Sequence, residues 1–372
     1  MGLASAYYLT KAGNRVVLVE KTGIGAGASG SCDDMILLQS KKPGIALTLA
    51  MERLEIYKGL SQELAWEIGF ETRGGMVLIE DTMQLQVMED FVRQQAAYGL
   101  HVEIVDQKEV RKKQPHVSEK IIASTYSKTD SQVNPLRLMR AFLHHAVNRG
   151  MLLLHDSPIK IENNSHWVIE TKERRIEAET LLFAAGAWTN ELGKMIGLCI
   201  PIEPRRGQLA ITEQLPPLGE TNLWTAAYIA SKLDKSLMPD KGPYAREIGL
   251  GFSFSQTFEG NYLLGSTRES AGFDKSTSSR AITTIINQAR SYFPVLNNVR
   301  IIRTMAGFRP ATPDVIPIVG PVDGYDGLFI AAGHEGDGIA LSPVTGKAVA
   351  GMICGTLRDK RFDELNLRRF TP

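Results

Sequence analysis

Apolar positions along the chain recur at two spacings, and the switches between them mark out the elements. Residues 1–9 (MGLASAYYL) read as a helix with small residues on one side that stops at Ala12-Gly13, and residues 15–20 (RVVLVE) as a short buried strand ending in an acid. From 43 to about 68 the apolar residues Leu47, Leu54, Tyr57, Leu60 and Leu64 keep helical spacing, after which residues 69–80 alternate as a strand. A second amphipathic helix is predicted over 83–98 and a short strand over 102–105; the basic stretch 110–115 reads as a solvated face. Residues 135–150 open on Pro135, close on Gly150 and carry Leu136, Met139, Phe142 and Val147 on one predicted face. Strand-like runs follow at 152–154 and 159–161. Residues 179–188 (ETLLFAAGAW) form a further strand that runs into Ala185-Gly186.

The pattern then changes. From 201 to about 298 short strands and turns dominate, among them 207–212, 247–255 and 261–267, which predicts an antiparallel sheet. Residues 327–332 (GLFIAA) have the length of a strand buried on both faces, and a helix is predicted to open near Ser342-Pro343. The expected class is α/β, a Rossmann-like parallel sheet with helices, joined to an antiparallel-sheet α+β domain.

Composition narrows this picture. At 372 residues the chain exceeds the roughly 250 to 300 at which a single core stops growing, which implies two domains. With 42 Lys+Arg against 41 Asp+Glu, nothing points to nucleic acid. Cys32, Cys199 and Cys354 are too scattered for a disulfide framework or a metal cluster and fit a reducing compartment. No apolar run reaches the length of a membrane span and no secretory signal is apparent, so a cytoplasmic protein is expected.

The candidate chemistry is densest between 307 and 343. Gly307-Phe308-Arg309-Pro310 sets one cation in a rigid backbone, and a guanidinium held that way grips a carboxylate through two parallel hydrogen bonds. Gly333-His334-Glu335-Gly336-Asp337-Gly338 places three glycines in six residues between strand and helix, where backbone N–H groups can approach a flat or anionic ligand. His334, Glu335 and Asp337 lack the spacing of a zinc helix or a calcium loop, so no metal is expected. At the other end, Glu20 fits the strand-terminal acid of a dinucleotide-binding βαβ unit and Gly2 its last glycine, so a first strand and two glycines are expected upstream of Met1. Residues 25–30 (GAGASG) match the same fingerprint formally, but no second strand with a terminal acid follows them.

Together these motifs resemble the D-amino acid oxidase-like flavoenzymes, the family of glycine oxidase, sarcosine oxidase and related amine dehydrogenases, along nearly the whole chain. The resemblance implies an FAD-binding domain from residues 1–68, 130–198 and 300–372, and a substrate domain from 69–129 and 199–299. It implies FAD contacts at Gly2, Glu20, Lys21, Ala28, Ser29, Asp33, Asp34, Met35, Ile159 and Gly186, and along His334, Glu335, Gly336, Asp337, Gly338, Ile339 and Ala340. No cysteine stands at 307–309, so the flavin is expected to be noncovalent. Arg309 becomes the substrate-carboxylate anchor in FAD-dependent oxidation of a small amino acid or amine to an imine. Where glycine oxidases carry a tyrosine this chain has Ser253, with Arg268 further on, a departure that puts glycine itself in question. Electrons go either to oxygen or to a partner subunit; a homo-oligomer is compatible with the resemblance, and a non-catalytic remnant is the third reading.

Overall fold

The computed structural model describes residues 1–233 and 242–370, so 234–241 and 371–372 of the expected domains lie outside the described residues. Strands are β1 (Val17–Glu20), β2 (Met35–Ile36), β3 (Gly75–Ile79), β4 (Glu103–Asp106), β5 (Ala123–Ser127), β6 (Ser131–Gln132), β7 (Leu152–His155), β8 (Pro158–Asn163), β9 (Trp167–Thr171), β10 (Arg175–Ala178), β11 (Leu181–Phe183), β12 (Glu203–Gln214), β13 (Asn222–Thr225), β14 (Ser253–Gln256), β15 (Asn261–Gly265), β16 (Ile301–Ala311), β17 (Ile318–Pro321) and β18 (Leu328–Ala332). Helices are α1 (Gly2–Lys11), α2 (Ile45–Glu63), α3 (Thr82–Ala96), α4 (Gln107–Lys113), α5 (Pro135–Asn148), α6 (Thr189–Met195), α7 (Ala226–Leu233), α8 (Pro243–Glu247), α9 (Ser279–Tyr292) and α10 (Gly338–Ile353).

Two parallel pairs, β1 with β7 and β11 with β18, form the α/β part, and β17 lies antiparallel on β18. Helix α1 packs against α5 and α10, and its Leu3, Ala6 and Tyr7 share a core with Leu138, Phe142 and Ala340. The second body is an eight-stranded sheet in the order β16-β12-β15-β14-β13-β3-β5-β4. It is antiparallel as expected except where β13 meets β3 in parallel. Phe252, Phe254, Tyr262, Tyr292 and Phe293 fill the space between that sheet and α9.

Some boundaries differ from the sequence reading. The strand expected from 247 begins only at Ser253, because Pro243 starts a helical turn that ends at Glu247. On α5 the buried stripe is Leu138, Met139, Ala141, Phe142 and Ala146; Leu136 and Val147 are exposed. Val147 lies five residues past Phe142, about 140° round the helix, too far to share its face. Helix α10 opens at Gly338, so Pro343 is inside it rather than at its start. The carbonyl that Pro343 cannot serve, that of Ile339, instead accepts from the Tyr57 hydroxyl at 2.8 Å and from Ser342 Oγ at 2.9 Å.

Candidate functional site

A cavity of about 1780 Å³ runs from the ends of β1 and β11, past residues 27–35, to the inner face of the eight-stranded sheet. One wall is set by the edge strand β16, which pairs with β12 so that Gly207 faces Gly307 and Arg205 faces Arg309. Both glycines are required by close approach. A Cβ on Gly207 would overlap the Arg309 guanidinium, and one on Gly307 would lie 2.8 Å from Ser31 Cβ, so bare backbone seats the arginine on one side and residues 28–31 on the other. Phe308 meets Trp188 and Phe273 edge-on at 5.8 and 5.6 Å, which ties β16 to the turn after β11.

Arg309 donates from Nη1 to the Thr267 carbonyl at 2.8 Å and from Nη2 to Ser266 Oγ at 3.0 Å. Both acceptors are neutral, and among the described residues no carboxylate lies within 4 Å of it. Burial and the neighbouring Arg268 pull its pKa below the ordinary arginine value, yet a guanidinium remains cationic at neutral pH. Arg268 stacks over Tyr228 at 4.6 Å, donates to the Tyr228 hydroxyl, and approaches Glu335 with its Nε 3.4 Å from Oε1. Although burial works against its charge, Tyr228 and Glu335 leave Arg268 with a raised pKa.

The adjoining wall is the segment from β18 into α10. Glu335 N–H donates to the Pro310 carbonyl at 3.1 Å, holding the loop against the end of β16, and Glu335 takes a left-handed φ of 47° to do so. His334 is buried, with Nε2 3.2 Å from Thr345 Oγ1 and Nδ1 without a partner. Burial pushes its pKa down to about 3, so the ring is neutral at pH 7. Asp337 takes the N-cap position without capping the helix by its side chain; its carboxylate pairs with buried Lys41. The first-turn N–H groups of α10 have no intrahelical acceptor and lie at the cavity surface.

Of the residues singled out in the sequence, Arg309, Gly2, Glu20, Lys21, Ala28, Ser29, Asp33, Met35, Gly186 and the run from His334 to Ala340 all line this one cavity. Glu20 Oε1 accepts from the N–H groups of Thr22 and Gly23 at 2.9 and 3.1 Å, which fixes the carboxylate at the end of β1. Two residues fall elsewhere. Asp34 is buried behind the lining with Oδ1 unpartnered, and burial pushes its carboxyl pKa up to about 7. Ile159 is 57% exposed, whereas Ile161 lines the cavity. The irregularity in the β8–β9 register between Pro158 and Lys160 breaks the alternation that would put both on one face.

The sequence reading assigned no role to Tyr228, Trp224, Arg205 or Lys41. Tyr228 and Trp224 reach the cavity from the β13–α7 segment, far in sequence from Arg309, and no local pattern marks them. Ser253 also lines the cavity, its Oγ buried without a hydrogen-bond partner, while the tyrosine on this wall comes from α7. Among the described residues no group of three or more His, Cys, Asp or Glu side chains is placed to hold a metal ion, and no helix is long and apolar enough to cross a membrane.

Comparison with known proteins places this geometry. Residues 1–352 match the family described as DAO, FAD dependent oxidoreductase. The hydrogen cyanide synthase subunit HcnC of Pseudomonas aeruginosa is 32% identical over 314 residues, covering 82% of this chain and 69% of that protein. Glycine oxidase of Geobacillus kaustophilus is 26% identical over 367 residues, covering 95% of this chain and 90% of its own length. The crystal structure of glycine oxidase from that organism superposes with a TM-score of 0.88 at 25% identity, over 99% of this chain and 95% of the other. The chain belongs to the family of DAO-type FAD dependent oxidoreductases. Its cavity fits the cofactor: its lining includes a fixed carboxylate and a helix N-terminus without a side-chain cap, and it leaves room at Gly338, where an added Cβ would meet only His334 Cβ at 3.9 Å.

Proposed function

We propose that the chain oxidises the C–N bond of a small amino acid or N-alkyl amino acid to an imine, which water hydrolyses to an oxo acid and ammonia or a primary amine. The observation that carries this reading is Arg309: a cation on the cavity wall, fixed by two neutral acceptors and with no carboxylate within 4 Å among the described residues. A substrate carboxylate is the partner that such a guanidinium lacks.

FAD, when bound, supplies the hydride acceptor. The protein's part is placement. Arg309 holds the carboxylate and so fixes the carbon beside the amine, a proximity effect that needs no protein base when the amine arrives neutral. Glu20 and Lys21 at the end of β1 serve the adenosine side, and Gly2 admits close packing beneath it. Ala28, Ser29, Asp33, Met35 and Gly186 flank the middle of the cavity. Neutral His334 and the backbone from Glu335 to Ala340 line the pyrimidine edge, where the N-terminus of α10 favours negative charge.

A second reading concerns only the acceptor of the electrons. The relative at 32% identity is a subunit of a larger synthase, which favours transfer to a partner protein over transfer to oxygen. Both readings are tested by mixing the flavin-loaded protein anaerobically with amino acids and with the matching amines that lack a carboxylate. The amino acids are expected to bleach the flavin and the amines to fail; equal bleaching by both overturns the role of Arg309. Admitting oxygen afterwards, or an artificial dye, then separates oxidase from dehydrogenase.

A further inference from the structure

The sheet-side wall carries a second guanidinium beside the one that takes a carboxylate. Arg309 and Arg268 both line it, and the one carboxylate paired with either among the described residues is Glu335, 3.4 Å from Arg268 Nε; Glu335 is shared with Arg205, which does not line the cavity but brings its Nη1 within 3.7 Å. The other ionised groups nearby are matched elsewhere. Lys41 pairs with Asp337, and Glu269 is held by Arg206, Gln208 and Thr267. Asp33 faces the same cavity, and burial pushes its carboxyl toward the neutral form.

The second arginine is also built in rather than draped over the surface. Arg268 N–H donates to the Ile248 carbonyl at 2.8 Å, its guanidinium lies 4.6 Å over the Tyr228 ring, and it lines the cavity directly beside the segment 266–267 that holds Arg309. A wall assembled for glycine-like substrates needs no second fixed guanidinium, since their only anion is already taken by Arg309.

We infer that Arg268, with Tyr228, forms a second anion subsite, and that the substrate is an amino acid bearing two carboxylates. This rests on the reading that Arg309 takes the first. The second carboxylate comes either from the side chain of an aspartate- or glutamate-type amino acid or from a carboxyalkyl group on the amine nitrogen. Both present the same dianionic chemistry, and the choice between them belongs to the assay.

The test separates binding from turnover. Titrating the flavin-loaded protein with acetate, malonate and succinate, read by perturbation of the flavin spectrum, is expected to show the dicarboxylates at least about tenfold tighter, the gain of one charge-assisted contact. Arg268→Met should abolish that preference while costing acetate less, and Arg268→Lys should keep part of it; flavin content and melting temperature establish that each variant is folded. Equal affinity for acetate and succinate, or a preference unchanged in Arg268→Met, overturns the subsite. Should the methionine variant lose its flavin, the wild-type titration and the lysine variant decide. In the turnover arm, aspartate and glutamate of both hands, iminodiacetate, glycine and sarcosine are compared by anaerobic flavin reduction, with the dicarboxylic members expected to lead. Faster reduction by glycine or sarcosine counts against the subsite. No reduction by any of these amines overturns the proposed oxidation instead, and the binding titration still judges Arg268.

Discussion

The wall around Gly338 and the wall around Arg309 face one cavity, but they are made of different material. From β18 into α10 the surface is largely backbone: helix N–H groups, small residues and a neutral imidazole, with its charges matched, Asp337 by Lys41 and Glu335 by Arg268 and Arg205. Beside it the surface is side chain, with guanidiniums carried by β16 and the segment after β15, the first seated by a cross-strand pair of glycines. A ligand with a flat face and diffuse negative charge suits the first wall and a compact carboxylate the second. The difference teaches where each property resides. Cofactor retention should be sensitive to added atoms, substrate choice to removed charge.

The largest effect is expected from adding atoms to the backbone wall. Gly338→Val places two methyl groups at the cavity surface while meeting no protein atom closer than His334 Cβ at 3.9 Å from the new Cβ. The protein should fold, with stability changed by less than about 1 kcal/mol because valine is the better helix former, yet purify without flavin and without activity. A yellow, active variant would break the comparison at its root. A variant that unfolds would show that the glycine serves the helix and not the ligand.

Removing charge from the other wall should give the converse. Arg309→Met is expected to keep its flavin and to lose roughly tenfold to 150-fold in kcat/KM on carboxylate substrates, the worth of one charge-assisted contact of about 1.5 to 3 kcal/mol. Most of the loss should appear in KM, with amines lacking a carboxylate unaffected. Flavin loss comparable to the loss of activity would place Arg309 on the cofactor side instead.

The same contrast explains how much of the molecule could be read from the chain. The backbone wall is one contiguous run, strand, glycine-rich loop and helix, so residues 327–340 announce themselves by local pattern alone. Even there the helix start was displaced, because whether Pro343 begins a helix or sits within one depends on a donor for Ile339 that comes from α2. The charged wall is assembled from residues 228, 268 and 309, which only the fold brings together, so Arg309 was legible through its neighbours in sequence and the role of Tyr228 was not. Ile159 illustrates a third limit: two strand residues of the same parity end on different sides because the register shifts between Pro158 and Lys160.

A smaller effect should sharpen the boundary of the site. Asp34 sits behind the lining, its carboxyl pKa pushed up to about 7 by burial, above the ordinary aspartate value of 3.8. The folded form therefore binds this proton more tightly than the unfolded chain does. Its contribution to stability is fully present below about pH 4 and is lost as pH rises through about 7. Asp34→Asn, which cannot ionise, is expected to gain roughly 2 to 3 kcal/mol more over the wild type at pH 8 than at pH 5, judged by urea unfolding at both. A pH-independent difference would mean that the carboxylate is ionised and partnered in the folded protein.

The smallest effect concerns what holds the backbone wall in place. The Ile339 carbonyl lies one turn before Pro343, which has no N–H to give it, and both Tyr57 Oη and Ser342 Oγ donate to it. Tyr57→Phe removes the donor from α2 but leaves Ser342, so a loss of about 0.5 to 1.5 kcal/mol is expected, or a melting temperature lower by roughly 1 to 5 °C, with flavin retained. Ser342→Ala should behave alike. Combining them strands a buried carbonyl and should cost more than the sum of the singles, by about 1 kcal/mol, with weaker flavin binding as the first turn of α10 shifts. Strict additivity would mean that water or a backbone adjustment serves Ile339, and that the position of the helix N-terminus against the cavity is fixed by the Glu335–Pro310 and Asp337–His334 backbone bonds alone.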